Sequence, residues 1–259
     1  MGFIITKVLQ IIYSFRTYSF VPPSNRKFSQ DFSSYEDKNW AHLRAKAFGD
    51  IQSHLPSPVD YEQIRKLIED YKKVENGKLK VLDFGGGNLV LYHQVSKDFP
   101  DLRFEWTIVE NSTYFAEIKR NWGEVQSSFK LLNEGFQVGK YPELLITDRI
   151  PSQNFDICIA GAVLGWVDSP IDTIAMLSKK ADNLLITRTL MAPKKAKIGY
   201  QRTYIGEKVL KVKCWFLNEN EIALFPEFSV SRIWNSAPEA IYTIYGKWQF
   251  KSLLLKRIN

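Results

Sequence analysis

Short apolar runs alternate with segments of helical periodicity through the middle of the chain. Each run is five to eight residues long and rich in β-branched, leucine or aromatic side chains, which is typical of a buried strand. The runs are KLKVLDF, RFEWTIVE, SFKLL, FDICIAG and NLLITRT. Their alternation with helices over residues 78–189 predicts βα repeats, and therefore a mostly parallel sheet.

Helix starts are marked by capping residues. Ser57 precedes Pro58, and an apolar stripe at helical spacing follows as far as Gly77. Ser169 and Pro170 repeat that arrangement. Two capping boxes predict further helix starts, Ser33 with Glu36 and Asn218 with Glu221.

The pattern changes after about residue 225. FSVSRIWN and YGKWQFKSLLLKRI are two strand-like runs with a short connection, which predicts an antiparallel, hairpin-like ending. We interpret residues 77–259 as one Rossmann-like domain and residues 1–76 as an N-terminal helical extension packed on it.

Residues 1–20 are apolar but interrupted by Lys7 and Arg16, so they are too short to span a membrane. Apolar residues between Phe3 and Phe15 recur at helical spacing. A helix packed on the core and a helix lying at a membrane surface both fit this pattern.

Composition narrows the possible functions. The net charge of +7 favours anionic partners, but no arginine-rich run or RNA-binding motif predicts nucleic acid. The chain has 2 cysteines and 3 histidines without metal-ligand spacing, so neither a disulfide framework nor a metal site is expected. A reducing cytoplasm, with contact to the inner membrane as one alternative, fits best.

A glycine turn follows the first of these strands in VLDFGGGNLV. Glycines there let the backbone approach a ligand at the carboxyl edge of a parallel sheet. Val90 stands where the dinucleotide motif GxGxxG needs glycine, and no GK[ST] follows, so NAD and a Walker-type phosphate site are disfavoured.

Two carboxylates accompany the turn. Asp83 begins it, and Glu110 ends the next strand, 27 residues later. Glu110 could accept both hydroxyl protons of a ribose, while Asp83 could orient the turn or reach the far end of the ligand through water. The alternative is a purely structural turn in which Asp83 caps local amides and Glu110 is exposed.

These segments resemble the class I S-adenosylmethionine-dependent methyltransferases. VLDFGGG, the acid of TIVE and FDICIAGAVLGWVDSP carry the likeness. Within that class, residues 28–257 look like a family of bacterial methyltransferases found among surface-polysaccharide biosynthesis genes. The resemblance implies an α/β, Rossmann-like fold with a seven-stranded, mostly parallel sheet, an antiparallel last strand and helices on both faces. It also implies S-adenosylmethionine as cofactor.

The resemblance also implies a set of cofactor-binding residues. They are Asp83, Gly85, Gly86, Gly87, Glu110, Ala162 and Trp166. Trp166 is equally well explained as a packing residue. The chain departs from the family at Leu89, where glycine is usual, and at Thr187, where aspartate is usual. Leu89 weakens cofactor binding if its side chain points toward the adenosyl group.

The acceptor is expected to be a small or sugar-linked molecule, with a phosphate-bearing, anionic one as an alternative. Candidates for its binding or catalysis are Arg188, Thr189, Gln201 and Tyr204, and no general base is evident. Arg188 either clamps a substrate carboxylate or phosphate, or pairs with an internal acid. The rival interpretation of the whole chain is a non-catalytic, methyltransferase-like scaffold.

Overall fold

The computed structural model describes residues 18–20, 41, 56–74, 78–87, 89–120, 143–205, 208–243 and 246–258. Its strands are β1 (Tyr18–Phe20), β2 (Leu79–Phe84), β3 (Phe104–Val109), β4 (Glu143–Thr147), β5 (Phe155–Gly161), β6 (Ala181–Met191), β7 (Lys197–Ile205), β8 (Lys208–Phe216), β9 (Phe228–Thr243) and β10 (Gly246–Arg257). Its helices are α1 (Pro58–Val74), α2 (Val90–Asp98), α3 (Ser112–Arg120), α4 (Pro170–Ser178) and α5 (Glu219–Ile222).

Seven strands form the main sheet, in the order β4-β3-β2-β5-β6-β10-β9. β2 is parallel to β3 and to β5, β3 is parallel to β4, and β10 is antiparallel to β9. The predicted fold class, an α/β Rossmann-like fold with a mostly parallel seven-stranded sheet and an antiparallel last strand, is thereby confirmed. β2, β3 and β5 are almost wholly buried, as strands covered on both faces must be.

Three helices begin where their sequences predict, at Pro58, Pro170 and Glu219. Ser57 Oγ accepts the backbone N–H of Asp60 at 3.1 Å, immediately before α1. Asn218 Oδ1 accepts the N–H of Asn220 at 3.0 Å before α5. The second half of that predicted capping box differs, because Glu221 Oε1 accepts the N–H of Ala196 at 3.3 Å. The box at Ser33 lies outside the described residues.

Two strand regions were not predicted. β4 was not predicted, although its sequence ELLIT contains the same LLIT run as the predicted strand NLLITRT, and the predicted strand at 128–132 falls outside the described residues. β7 and β8 form a second, three-stranded sheet in the order β1-β7-β8. Residues 3–15, on which the N-terminal helix prediction rests, also lie outside the described residues, whereas Tyr18–Phe20 at the end of that segment is a strand.

The chain divides into two compact units. The glycine-turn unit comprises Glu36–Gly161 and Lys179–Leu185. The hairpin unit comprises Met1–Tyr35, Ala162–Ser178 and Ile186–Asn259, and includes the antiparallel β9–β10 pair that the sequence predicts. The predicted boundary between residues 76 and 77 stays a prediction. Among the helices described, none has the length and apolar character needed to cross a membrane.

Candidate functional site

The three glycines after β2 are each required by the local geometry. Gly85 and Gly87 have φ values of 71° and 70°, a left-handed conformation that favours glycine. Gly86 is required by close approach, because a Cβ there would lie 2.6 Å from both Cγ and Oδ2 of Asp83. The turn therefore closes directly over the Asp83 carboxyl group.

Asp83 is a buried carboxyl group with an unsatisfied atom. Asp83 is 2% exposed, and its Oδ2 makes no well-formed hydrogen bond, although the indole N–H of Trp106 lies close enough to favour the ionised form and lower the pKa in part. Burial, assisted by the nearby charge of Glu110, raises the pKa of Asp83 to about 7. At neutral pH the group therefore exchanges readily between its protonated and ionised forms. The structural alternative, in which Asp83 caps local amides, does not account for this unpartnered oxygen.

Glu110 holds the turn from the neighbouring strand. It follows β3, is 3% exposed, and its Oε1 accepts the N–H of Gly87 at 2.6 Å. The alternative of an exposed Glu110 is therefore wrong. At the other backbone polar group of the same residue, the hydroxyl of Tyr114 donates to the carbonyl of Gly87 at 2.6 Å. Tyr114 was not predicted, because its place at the start of a helix looks like that of any packing residue.

Leu89 has a conformation that normally calls for glycine. Its φ is 62° and its ψ is 1°, immediately before α2, and its side chain is only 5% exposed. A left-handed non-glycine residue costs about 1 kcal/mol. Because protein atoms already bury the side chain, Leu89 does not project into an open ligand site.

Leu89→Gly is expected to be more stable than Leu89→Ala, although glycine is the smaller residue. Both variants lose the buried side chain, which costs about 2–5 kcal/mol, but only glycine relieves the left-handed strain, worth about 1 kcal/mol. Urea unfolding of the two variants measures the difference. Equal stabilities, or a more stable alanine variant, would contradict the assigned backbone conformation.

Ala162 and Trp166 lie together in the loop after β5, within the hairpin unit. Ala162 has a φ of 55°, and its N–H donates to the carbonyl of Thr187 at 2.9 Å. The indole N–H of Trp166 donates to the carbonyl of Ala162 at 3.0 Å. Both residues are thus placed in one short loop, as predicted, while their contact with a cofactor stays a prediction.

Trp215 of β8 fixes the same loop. Its backbone N–H donates to the carbonyl of Gly165 at 2.6 Å, and its indole N–H donates to the carbonyl of Asp168 at 3.1 Å. The Lys213 ammonium lies 3.9 Å from Asp168 Oδ1. Through these contacts Trp215 anchors the loop after β5.

The candidate acceptor residues separate in the structure. Arg188 is exposed, has a φ of 48°, and donates its N–H to Ser252 Oγ at 2.9 Å. Thr189 is buried, and its hydroxyl donates to the Thr187 carbonyl at 3.3 Å, so this hydroxyl is engaged. Gln201 and Tyr204 lie on β7, in the three-stranded sheet. Oε1 of Gln201 is buried without a partner, and the side chain of Tyr204 lies outside the described residues.

Metal and thiol chemistry find no support in the described part of the chain. No group of three His, Cys, Asp or Glu side chains there is arranged to hold a metal ion. Cys158 is fully buried beside the turn, and burial raises the pKa of its thiol well above the usual value. The thiol therefore stays protonated and is a poor nucleophile, in agreement with its predicted role as a small core residue.

The residues of the glycine-turn unit fit S-adenosylmethionine. Its sulfonium and ammonium groups are cations, and its ribose offers a diol, so it suits a site built from two carboxyl groups and a glycine turn. The unpartnered Oδ2 of Asp83 is the observation that favours a cationic ligand. Asp83, Gly85, Gly86, Gly87 and Glu110 would hold it.

Comparison with known proteins supplies fold likenesses alone. No known family profile and no curated protein matches the chain. Among solved structures, the glycopeptide N-methyltransferase MtfA complexed with S-adenosylmethionine is 10% identical (74% of this chain, 93% of that chain, TM-score 0.45). Coclaurine N-methyltransferase bound to N-methylheliamine and S-adenosylhomocysteine is 11% identical (90% and 90%, TM-score 0.47). The mitomycin 7-O-methyltransferase MmcR is 16% identical (87% and 61%, TM-score 0.47).

Proposed function

We propose that this protein is an S-adenosylmethionine-dependent methyltransferase. The observation that carries the proposal is the pair of buried carboxyl groups, Asp83 and Glu110, at the carboxyl ends of adjacent parallel strands around a glycine turn. Ligands of open parallel sheets bind at that edge. Glu110 anchors the turn through Gly87, and Asp83 supplies an unpartnered oxygen for a cationic ligand.

The cofactor would supply a methyl group on a sulfonium, which is transferred by in-line displacement. The protein's part is to align the acceptor with that methyl group, and alignment can account for much of the rate enhancement. Because the Thr189 hydroxyl is engaged by a backbone carbonyl, we do not assign it as a base. The loop after β5, held by Trp215, is the element that we assign to positioning.

We infer a small or sugar-linked acceptor in surface-polysaccharide biosynthesis, and this finer assignment rests on the family resemblance alone. Both cysteines are free and buried, which suits the cytoplasm. Contact of residues 1–20 with the inner membrane is an extension of the same proposal.

One observation favours a second function, that of a non-catalytic scaffold with the methyltransferase fold. Leu89 stands where the resemblance expects glycine, so the chain departs from the family at the residue immediately before α2, although the backbone there keeps a left-handed conformation. Such a module would bind the cofactor weakly or not at all.

Calorimetric titration of the wild type separates these two functions. We expect micromolar binding of S-adenosylmethionine and S-adenosylhomocysteine, and no binding of NAD, because Val90 interrupts the dinucleotide motif. Absence of heat and of thermal stabilisation with both sulfur nucleosides would reject the enzyme and leave the scaffold.

A further inference from the structure

We propose that Arg188, in the second half of β6, forms an anion-binding site that recognises a carboxylate or phosphate group on the acceptor. That the anion belongs to the methyl acceptor rests on the proposed function, whereas the anion site itself rests on the geometry of the hairpin unit. It would restrict substrates to anionic molecules.

Arg188 is the one exposed residue in a buried stretch of β6. From residue 184 to residue 192 every residue is buried except Arg188, which is exposed. β6 is an interior strand of the main sheet, where both faces are normally covered. A guanidinium cannot lose its charge to suit an apolar strand, so this cation needs solvent or an anion. Within the described part of the chain, Arg188 makes no ion pair with an acidic side chain, so the alternative of an internal acid has no partner there.

The backbone of Arg188 has a left-handed conformation. Its φ of 48° is unfavourable for any residue with a Cβ, and such strain persists only where surrounding contacts impose it. Two contacts do so. The fully buried Ser252 accepts the Arg188 N–H at 2.9 Å, and the Ala162 N–H donates to the preceding carbonyl, that of Thr187, at 2.9 Å. Strained residues held in this way concentrate at ligand sites.

The guanidinium of Arg188 is chemically complementary to a carboxylate or a phosphate. The planar guanidinium matches the two oxygens of a carboxylate or phosphate and binds them through parallel hydrogen bonds. Exposed Lys194 and Lys195 follow the end of β6, and the chain carries a net charge of +7. This positive charge would raise the local concentration of anionic molecules.

The test titrates inorganic phosphate and glucuronate into the full chain, followed by calorimetry and thermal unfolding. We expect millimolar binding of the anions by the wild type. Arg188→Gln removes both the charge and the planar pair of N–H donors, so its affinity should fall by at least about 10-fold. Arg188→Lys, which keeps only the charge, should lose about three-fold. Lys256→Gln is the matched control, because it removes an exposed cation from neighbouring β10, and its affinity should equal that of the wild type.

Arg188→Gly separates binding from folding. Glycine adopts a φ of 48° without strain, so this variant should unfold at a temperature no lower than the wild type while losing the response to the anions. A response to phosphate alone, or to glucuronate alone, supports the site and names the oxyanion. Equal affinities of wild type and Arg188→Gln, or no binding by the wild type, would overturn it.

Titration of S-adenosylmethionine into the same preparations keeps this inference apart from the proposed function. If Arg188-dependent anion binding occurs without cofactor binding, the methyltransferase proposal fails and the anion site stands. If the cofactor binds and the anions do not, the anion site fails alone.

Discussion

Asp83→Asn is expected to become progressively more stable than the wild type as the pH rises from 4 to 7. The carboxyl group is 2% exposed, and the indole N–H of Trp106 only partly offsets the cost of burying its ionised form. Asparagine has nearly the same shape and never ionises. The variant therefore lacks the unfavourable free energy of burying an ionised carboxyl group, which destabilises the folded wild type.

The sign follows from proton linkage. The pKa of Asp83 is about 7 in the folded protein and about 3.9 in an unfolded chain. Between these values the folded state keeps a proton that the unfolded state has lost. The stabilisation from that proton is complete below about pH 4 and is lost as the pH rises through about 7. The stability difference between variant and wild type should therefore grow by about 4 kcal/mol over this window and then level off.

Urea unfolding of both proteins at pH 4.5, 5.5, 6.5 and 7.5 measures this difference. Asp156→Asn is the matched control, because it makes the same chemical change on neighbouring β5, where the carboxylate accepts the Lys80 N–H at 2.7 Å. A constant difference between Asp83→Asn and wild type across the series would show that the buried Asp83 is not the group that titrates.

Asp83→Asn also tests the cofactor proposal, through the affinity for S-adenosylmethionine and its dependence on pH. A cationic ligand favours the ionised form of Asp83, so the wild type should bind S-adenosylmethionine more tightly at pH 8 than at pH 6, with proton release below about pH 7. Asp83→Asn should bind at least about 10-fold more weakly and lose this pH dependence. The residue would then be a site where function is kept at a cost in stability.

The sheet could be predicted from sequence because periodicity and turn chemistry are local. FDICIAG gives the bounds of β5 directly, and VLDFGGG locates the glycine turn at the end of β2. β4 was missed although ELLIT shares the run LLIT with the predicted strand NLLITRT; it is the edge strand of the sheet, and its Leu145 is half-exposed. β1 was missed because it pairs with β7 over more than 170 residues, whereas β7 and β8 form a local antiparallel hairpin that the sequence analysis did not identify.

The candidate site was predicted only in part for a related reason. The sequence places Asp83 and Glu110 at strand ends, and parallel pairing then brings them together. It does not show that Glu110 accepts the Gly87 N–H while Tyr114 donates to the Gly87 carbonyl. Nor does it show that Trp215 anchors the loop after β5. The φ of Arg188 was also invisible, because this conformation is imposed by contacts with β10 and not by local preference.

Glu110→Ala is expected to lower the affinity for S-adenosylmethionine by at least about 100-fold. Hydrogen bonds to a charged group contribute about 1.5–3 kcal/mol each, and the proposed ribose contact uses two of them. The substitution also removes the acceptor for the Gly87 N–H, now at 2.6 Å, so the turn itself loses support. Calorimetric titration with S-adenosylmethionine at pH 8 measures the affinity.

Glu110→Gln distinguishes support of the turn from contact with the ligand. Its amide oxygen can still accept the Gly87 N–H, but it offers only one acceptor where the carboxylate offers two, so we expect a loss of about 10-fold. Removing the Glu110 charge should also lower the pKa of Asp83 from about 7. The stability difference between Asp83→Asn and its parent should then level off at a lower pH. Glu105→Gln, on the same strand but hydrogen-bonded to Gln153, is the control and should bind as the wild type does. If Glu110→Gln and Glu110→Ala lose affinity equally, the charge and not the turn holds the ligand. If neither loses affinity, Glu110 serves the fold alone, and the proposed cofactor site is wrong.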